Sequence, residues 1–496
     1  MKKSSVLVLT LTLTLTLTLT LTLTLTLTLI LLSALPLWAE VTEQRSTLAD
    51  QQEVAVTIYN ENLALIRDQR QVALQAGENR LALREVSAGM RPETALLHSL
   101  TRPQGLRVIE QNFDFDLLTP GKLLEKYVGK KVQVVRTHPQ TGAESFESAE
   151  VLAAAEGPVL KIGDRIETGV PGRLVYPDVP ANLRDRPTLV TQLHSDQGGA
   201  QQIELAYLTS GLSWVADYVA QLDAKGERLD LSGWVTLTNR SGATYRQARL
   251  QLVAGDVHLV RQAVPMAREL AMEKGMVAAG ASMREESLFE YHLYSLDRPT
   301  TLADNQAKQV SLLGAAGVPV AREYLLRGGD YYYRDRFDRL GDQLKVGVFL
   351  ELVNSEKGGM GMPLPKGTVR VYQKDSRGNA QFVGEDRIEH TPKNETIRLK
   401  LGDAFDVTAK RKQTDFKKLG GDGRYNYVFE SAYEIVLKNA KSEAVTVKVA
   451  EPLPGDWKIV QESHPHEKAA SGLALWSVPV PAEGSATLTY RARVRY

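Results

Sequence analysis

Ile435-Val-Leu-Lys-Asn439-Ala-Lys-Ser442, followed at once by Val445-Thr-Val-Lys-Val449, sets the architecture. Apolar residues at every second position lie on one side of an extended chain, which reads as a half-buried strand and not a helix. Asn tolerates left-handed backbone and bonds to its own turn, so it marks the strand's end. The same pattern stands at Val235-Thr-Leu-Thr-Asn239-Arg-Ser and at Leu350-Glu-Leu-Val-Asn354-Ser-Glu. Strands of this kind, separated by polar turns, bury their apolar faces by stacking sheet on sheet. The expected fold class is therefore mainly all-β: a multi-module β-sandwich of immunoglobulin-like type, with a small barrel-like module and a few short helices.

Toward the amino terminus the period of two persists in Val54, Val56 and Ile58. Val72 and Leu74 then face Leu81 and Leu83 across Gln75-Ala-Gly77-Glu-Asn79, which reads as a hairpin. A short helix comes next, with Thr119 as N-cap, Pro120 in the first turn, Leu123, Leu124 and Tyr127 as a partial apolar stripe, and Gly129 as its stop. Lys131–Val135, a strand near Glu150–Leu152 and Val159–Ile162 are short and closely spaced, suiting the barrel-like module. The expected organisation is an export segment at 1–39, an N-terminal β domain at 40–115, a small β module with the helix at 116–187, a β-sandwich at 188–340 and a C-terminal β-sandwich at 341–496. Residues 263–286, which hold Met266, Met272, Met276 and Met283, read as a mobile insertion in the first sandwich. Thioethers suit Cu(I), but the spacing is irregular and no Cys or His stands nearby, so packing is the expectation and no metal or cofactor is assigned.

Lys2 and Lys3 precede an uncharged stretch from Ser4 to Ala39, in which Leu takes the odd positions 9–29 and Thr the even positions 10–28. Positive charge resists translocation while apolar chain inserts, so the segment is expected to direct export. Pro36 and the small Ala39 suit cleavage after Ala39. The length of Val6–Leu37 also suits a retained membrane anchor, and both outcomes stay open. The protein is thus expected in the periplasm or secreted, anchored to the inner membrane if uncleaved, with membrane contact only through residues 4–39.

Charge is nearly balanced, 60 basic against 59 acidic residues, or 58 against 59 once Lys2 and Lys3 are removed. That balance argues against a nucleic-acid partner. With no cysteine, the chain has no disulfide, thiolate metal site, thiol nucleophile or lipidated cysteine.

Candidate chemistry is sparse. His466-Glu467 begins like a zinc-protease helix but lacks the second His one turn on, and His464 with His466 has no carboxylate-rich partner motif. Gly211-Leu-Ser213-Trp-Val215 lacks the closing Gly of a nucleophile elbow. Glu385-Asp386 and Asp403 with Asp406 are paired carboxylates of the kind acid–base work on glycans needs, but such pairs also make turns and surface. No catalytic residue is assigned. Tyr331, Tyr332 and Tyr333, flanked by Arg327, Asp330, Arg334, Asp335 and Arg336, are the candidate binding residues, as rings able to stack sugars or a partner peptide. Lys410-Arg-Lys412 with Lys417 and Lys418 form a basic run suited to anionic lipid or polymer. Leu488, Tyr490, Ala492, Val494 and Tyr496 alternate with Thr and Arg to the last residue, as outer-membrane barrel strands do. The earlier strands, however, are short and Asn-terminated, which favours the last strand of a sandwich.

Leu208-Thr-Ser-Gly-Leu-Ser-Trp214-Val-Ala-Asp-Tyr218, Leu231-Ser-Gly-Trp-Val-Thr-Leu-Thr-Asn239 and Leu250-Gln-Leu-Val-Ala-Gly255 resemble the opening of the bacterial domain-of-unknown-function family 4139, related to mucoidy-inhibitor-like proteins. The likeness continues through Glu290-Tyr-His-Leu-Tyr294, Leu364-Pro-Lys-Gly-Thr-Val-Arg-Val-Tyr372 and Leu401-Gly-Asp-Ala-Phe-Asp406. Val56-Thr-Ile-Tyr59, with the hairpin after it, also looks like that domain's usual amino-terminal partner. The resemblance implies a secreted or periplasmic β-rich protein and no reaction. The functional expectation is a non-catalytic binding or structural envelope protein whose partner is an envelope protein or polymer. The alternatives are a glycan- or peptide-directed hydrolase using loop carboxylates, and an outer-membrane-associated β protein.

Overall fold

The computed structural model describes residues 42–496 except 61, 170–171, 181–182, 256, 259–282, 338 and 422. The export segment and most of the methionine-rich insertion lie outside the described residues. Of the four methionines only Met283 is described, and it is buried in the strand Met283–Leu288.

Nearly all regular structure is β, as the period of two requires. One sheet runs in the order Glu43–Ser46, Gly77–Arg84, Thr188–Ser195, Leu106–Asp114. A second runs Met283–Leu288, Tyr291–Leu296, Tyr245–Ala254, Gln51–Tyr59, Leu63–Leu74, Gly199–Thr209, Leu96–Ser99, with Thr300–Leu302 beside Tyr245–Ala254. A third runs Gln306–Pro319, Arg228–Asn239, Leu212–Leu222, Gly367–Lys374, Ala380–Ile388. These three share one continuous core, in which Leu83, Leu189, Ile58, Tyr207, Trp214 and Val235 all take part.

The small module is a five-stranded sheet in the order Arg165–Thr168, Val159–Ile162, Glu144–Ala153, Lys131–Thr137, Arg173–Val175. Its two terminal strands do not pair, so it is an open sheet and not the barrel-like form expected. The one α-helix among the described residues, Pro120–Lys126, begins as its sequence dictates: the Thr119 hydroxyl accepts from the Lys122 amide at 3.2 Å. It covers one face of this sheet with Leu124 and Tyr127.

The C-terminal sandwich is a single nine-stranded sheet folded upon itself. Its order is Asp456–Glu462, Gly484–Arg495, Val428–Asn439, Thr396–Leu419, Leu344–Val353, Ala321–Arg327, Val445–Pro452, Leu473–Val480, His466–Ala470. The two halves face each other across a second core, where Trp476 stacks on Tyr490 at 4.6 Å. The 24-residue strand Thr396–Leu419 serves both cores. Ile397 and Leu399 pack in the first, and Val407 and Ala409 in the second.

Two local patterns take a different meaning in the folded chain. The segment around Gln75–Asn79 is not a hairpin: Leu63–Leu74 and Gly77–Arg84 belong to different sheets and pair with other strands. Val72, Leu74, Leu81 and Leu83 do all face one core. Alternation dictates that, but it does not say which strand supplies the hydrogen bonds. The three Asn-ended strands likewise mark changes of layer. After Asn239 the chain leaves the third sheet for the second, after Asn354 it leaves the nine-stranded sheet for the third, and after Asn439 it crosses the C-terminal sandwich.

An arch of this kind leaves strand-end carbonyls without a neighbouring strand, and buried backbone groups must be paired. A carboxamide, donor and acceptor at once, supplies the partner. Asn354 Nδ2 donates to the carbonyls of Met362 at 2.8 Å and Pro392 at 3.0 Å, while its Oδ1 accepts from the Gly361 amide. Asn239 bridges Ala243 and Leu302, and Asn439 bridges Glu443 and Pro481, in the same way. None of the three has a left-handed backbone, so their role is the side-chain stitch alone.

Candidate functional site

Gly328 and Gly329 open the excursion that carries the three tyrosines. A Cβ on Gly328 would stand 2.1 Å from a Glu451 carboxylate oxygen, so a side chain there would displace the carboxylate. The turn Asp330–Tyr333 then drives Tyr332 and Tyr333 into the C-terminal core. The Tyr333 hydroxyl donates to Glu451 Oε2 at 2.9 Å and meets the Tyr490 hydroxyl at 2.8 Å. Glu451 is paired with Arg411, and both side chains are fully buried. The Tyr332 carbonyl accepts from the Tyr433 hydroxyl at 2.6 Å, and Arg411 lies 4.9 Å over the Tyr332 ring. Burial pushes the Tyr333 hydroxyl and the Glu451 carboxyl up from their ordinary values, while Arg411 pulls the carboxyl back down. Tyr331 alone of the three is solvent-facing, 55% exposed, edge-on to Tyr332 and Phe337. The three rings do not form one surface: two anchor the excursion and one is presented.

What the excursion presents continues into a larger aromatic group. Arg334, three residues beyond Tyr331, lies 5.4 Å over the Tyr496 ring. Tyr496 packs against Phe429 at 5.9 Å, and Phe429 lies near-parallel to Tyr427 at 6.3 Å and to Phe416 at 5.7 Å. Tyr427 is half exposed, with Lys418 held 5.4 Å over its ring, while Arg424 lies over Tyr425. The backbones of Tyr427 and Tyr496 bond to one another, which joins these groups at one end of the sandwich. Among the described residues no carboxylate stands within 4 Å of Arg334, Lys418 or Arg424. A guanidinium or ammonium on an aromatic face keeps its remaining N–H groups for another acceptor. The arrangement suits a ligand with acidic groups and ring faces.

The basic run is therefore not one patch. Arg411 is interior, Lys410 pairs with Asp342 at 2.8 Å, Lys417 pairs with Asp415 at 3.5 Å, Lys412 is exposed, and Lys418 lies on the aromatic group. Sequence reasoning missed Phe416, Tyr425, Tyr427, Phe429 and Tyr496 as a set. The signal was present in Tyr425-Asn-Tyr427-Val-Phe429, three aromatics at alternate positions. Their contact with Phe416 and Tyr496 needed the strand register.

Other candidates take structural roles or stand alone. Ser213 is the second residue of the strand Leu212–Leu222, paired with Thr238. His466 Nδ1 is 2.9 Å from Glu462 Oε2, which also accepts from the Trp476 indole at 2.9 Å. His464 contacts Ser463. Asp386 accepts from the Lys400 amide at 2.7 Å, and Glu385 pairs with Arg370 at 3.2 Å. The final strand buries Leu488, Tyr490, Ala492 and Val494, while Arg491 and Arg493 on its other face pair with Glu430. Among the described residues no group of three His, Asp or Glu side chains is placed to hold a metal ion, and no helix is long and apolar enough to cross a membrane.

Asp403 and Asp406 do come together with other groups. Both line a pocket of about 270 Å³ between the two sandwiches, where Thr396–Leu419 passes from one core to the other. Three extra residues bulge out at that handover, since Gly347 pairs with Asp403 and Lys345 with Thr408. Phe405, at the crest of the bulge, is 95% exposed. Leaving such a side chain in water forgoes about 1.5–3 kcal/mol of burial.

A family model described as "Domain of unknown function (DUF4139)" matches residues 203–496, more than half of the chain and all of the C-terminal sandwich. No curated protein matches the sequence.

Proposed function

Because the chain belongs to the DUF4139 family, whose name carries no activity, we propose its function from the site: an exported envelope protein that binds, without catalysis, an envelope polymer bearing acidic groups. The observation that carries the reading is the aromatic end of the C-terminal sandwich. There Tyr331 and Tyr427 are open to solvent, and Arg334 and Lys418 rest on rings with no carboxylate partner among the described residues. Export rests on Lys2, Lys3 and the uncharged stretch to Ala39. Lys418 stands on the strand Thr396–Leu419 and Tyr331 and Arg334 on the turn anchored by Tyr332 and Tyr333, while Tyr427 lies at the end of the connection into Val428–Asn439 and is tied by its backbone to Tyr496.

The test is cell fractionation followed by crosslinking in intact cells, with wild type compared to an Arg334→Ala, Lys418→Ala double variant. Recovery outside the cytoplasm with an acidic polymer attached to wild type and lost in the variant supports the proposal. Cytosolic retention, or equal capture by both proteins, defeats it. The presence of Asp403 and Asp406 in one pocket favours hydrolysis as the second reading. Turnover of a glycan or peptide panel that disappears on Asp403→Asn or Asp406→Asn would replace the first.

A further inference from the structure

Phe405 and the pocket beside it form a projection and a recess on one face. The ring is held out by a bulge inside a continuous strand and not by a loose loop, so its exposure is built into the strand register. Gly402, at φ +143°, provides the backbone turn into that bulge. The recess, about 270 Å³, is larger than a phenyl ring; Leu222, Val348, Leu350, Val383 and Leu401 supply its apolar lining, Gln373 and charged side chains the polar lining, and Phe405 stands at its edge. Its rim carries both signs. Arg322 and Lys441 line it, each 3.9 Å from Glu443, too far for a hydrogen bond. Asp406 has no cation within 4 Å among the described residues.

We propose that this face binds a second copy of the chain, each Phe405 ring entering its partner's recess. A two-fold axis makes one patch meet itself, so a patch with a projection, a matching recess and charges of both signs satisfies its own partner. The exchange buries two rings that otherwise stand in water, and it sets Asp406 of each copy toward Lys441 of the other. The recess mixes apolar and charged lining, so it suits an occupant that is itself mixed, an aromatic ring flanked by charges of both signs, which is what this same face presents. The proposal is independent of ligand binding at the aromatic end.

The experiment is sedimentation equilibrium on the purified exported chain over a range of concentrations wide enough to separate monomer from dimer. Wild type is expected to dimerise, and Phe405→Asp to weaken self-association by about tenfold or more, as the loss of a buried ring implies, with unchanged circular dichroism and thermal transition. Lys441→Glu is expected to weaken it and Asp406→Lys in the same chain to restore it, since the swap re-forms the pair across the axis. A wild-type monomer at every concentration, a Phe405→Asp dimer as tight as wild type, or failure of the charge swap to restore association each overturns the proposal.

Discussion

Replacing Glu451 by Gln removes one charge from a pair that has no access to water. Arg411 and Glu451 are both fully buried, and the carboxylate also accepts from Tyr333 at 2.9 Å. Gln keeps the shape but leaves the guanidinium uncompensated, and Arg411 Nε and Nη1 have no other partner among the described residues to take up the load. Breaking a buried pair from one side costs about 3–5 kcal/mol. Removing both charges together, as Arg411→Met with Glu451→Leu, is expected to range from neutral to about 4 kcal/mol more stable, because the desolvation penalty disappears with the pair. Urea unfolding followed by tryptophan fluorescence reports on this core through Trp476, buried against Tyr490, together with the first core through Trp214. A loss of less than about 1 kcal/mol in Glu451→Gln, the scale of an exposed pair, would refute the reasoning. So would a double variant weaker than either single one.

Asn354→Ala strips the donors from the Met362 and Pro392 carbonyls and should destabilise by about 1–3 kcal/mol, measurable by thermal denaturation. Gly384→Ala sets a Cβ 2.6 Å from the Leu401 carbonyl oxygen at φ +152°, so a loss of more than about 1 kcal/mol is expected in the same assay. Arg493 and Arg491 hold the Glu430 carboxyl below the ordinary glutamate value of 4.5. Its contribution is therefore present above that value and is lost as pH falls through and below it, and Glu430→Gln should flatten the acid limb of a stability–pH curve. Arg334→Ala and Lys418→Ala lie on the surface and should change stability by no more than about 0.5 kcal/mol while reducing capture of acidic polymer.

How much was legible along the chain depends on the range of each signal. Alternation in Val54–Ile58, Ile435–Asn439 and Leu488–Val494 told which side chains face inward, and the helix at Pro120–Lys126 announced itself through Thr119 and Pro120. The same alternation misread Gln75–Asn79 as a hairpin, because a hairpin and an arch bury the same residues. Tyr331, Tyr332 and Tyr333 looked alike in the sequence. Only the excursion's anchorage on Glu451 and Tyr433 separates two core rings from one presented ring.

Period and composition, read along the chain, were enough for the β class and the inward faces of the strands, and the likeness of strings such as Leu208–Tyr218 and Leu364–Tyr372 was enough for the family. Those signals act between near neighbours, so they need no fold to be visible. Folding had to supply the rest: which sheet each strand joins, that Asn239, Asn354 and Asn439 stitch layer changes, and that Phe416, Phe429 and Tyr496 meet. These contacts join segments far apart in the sequence. Strand register and the closing of two cores set them, and no local pattern encodes either.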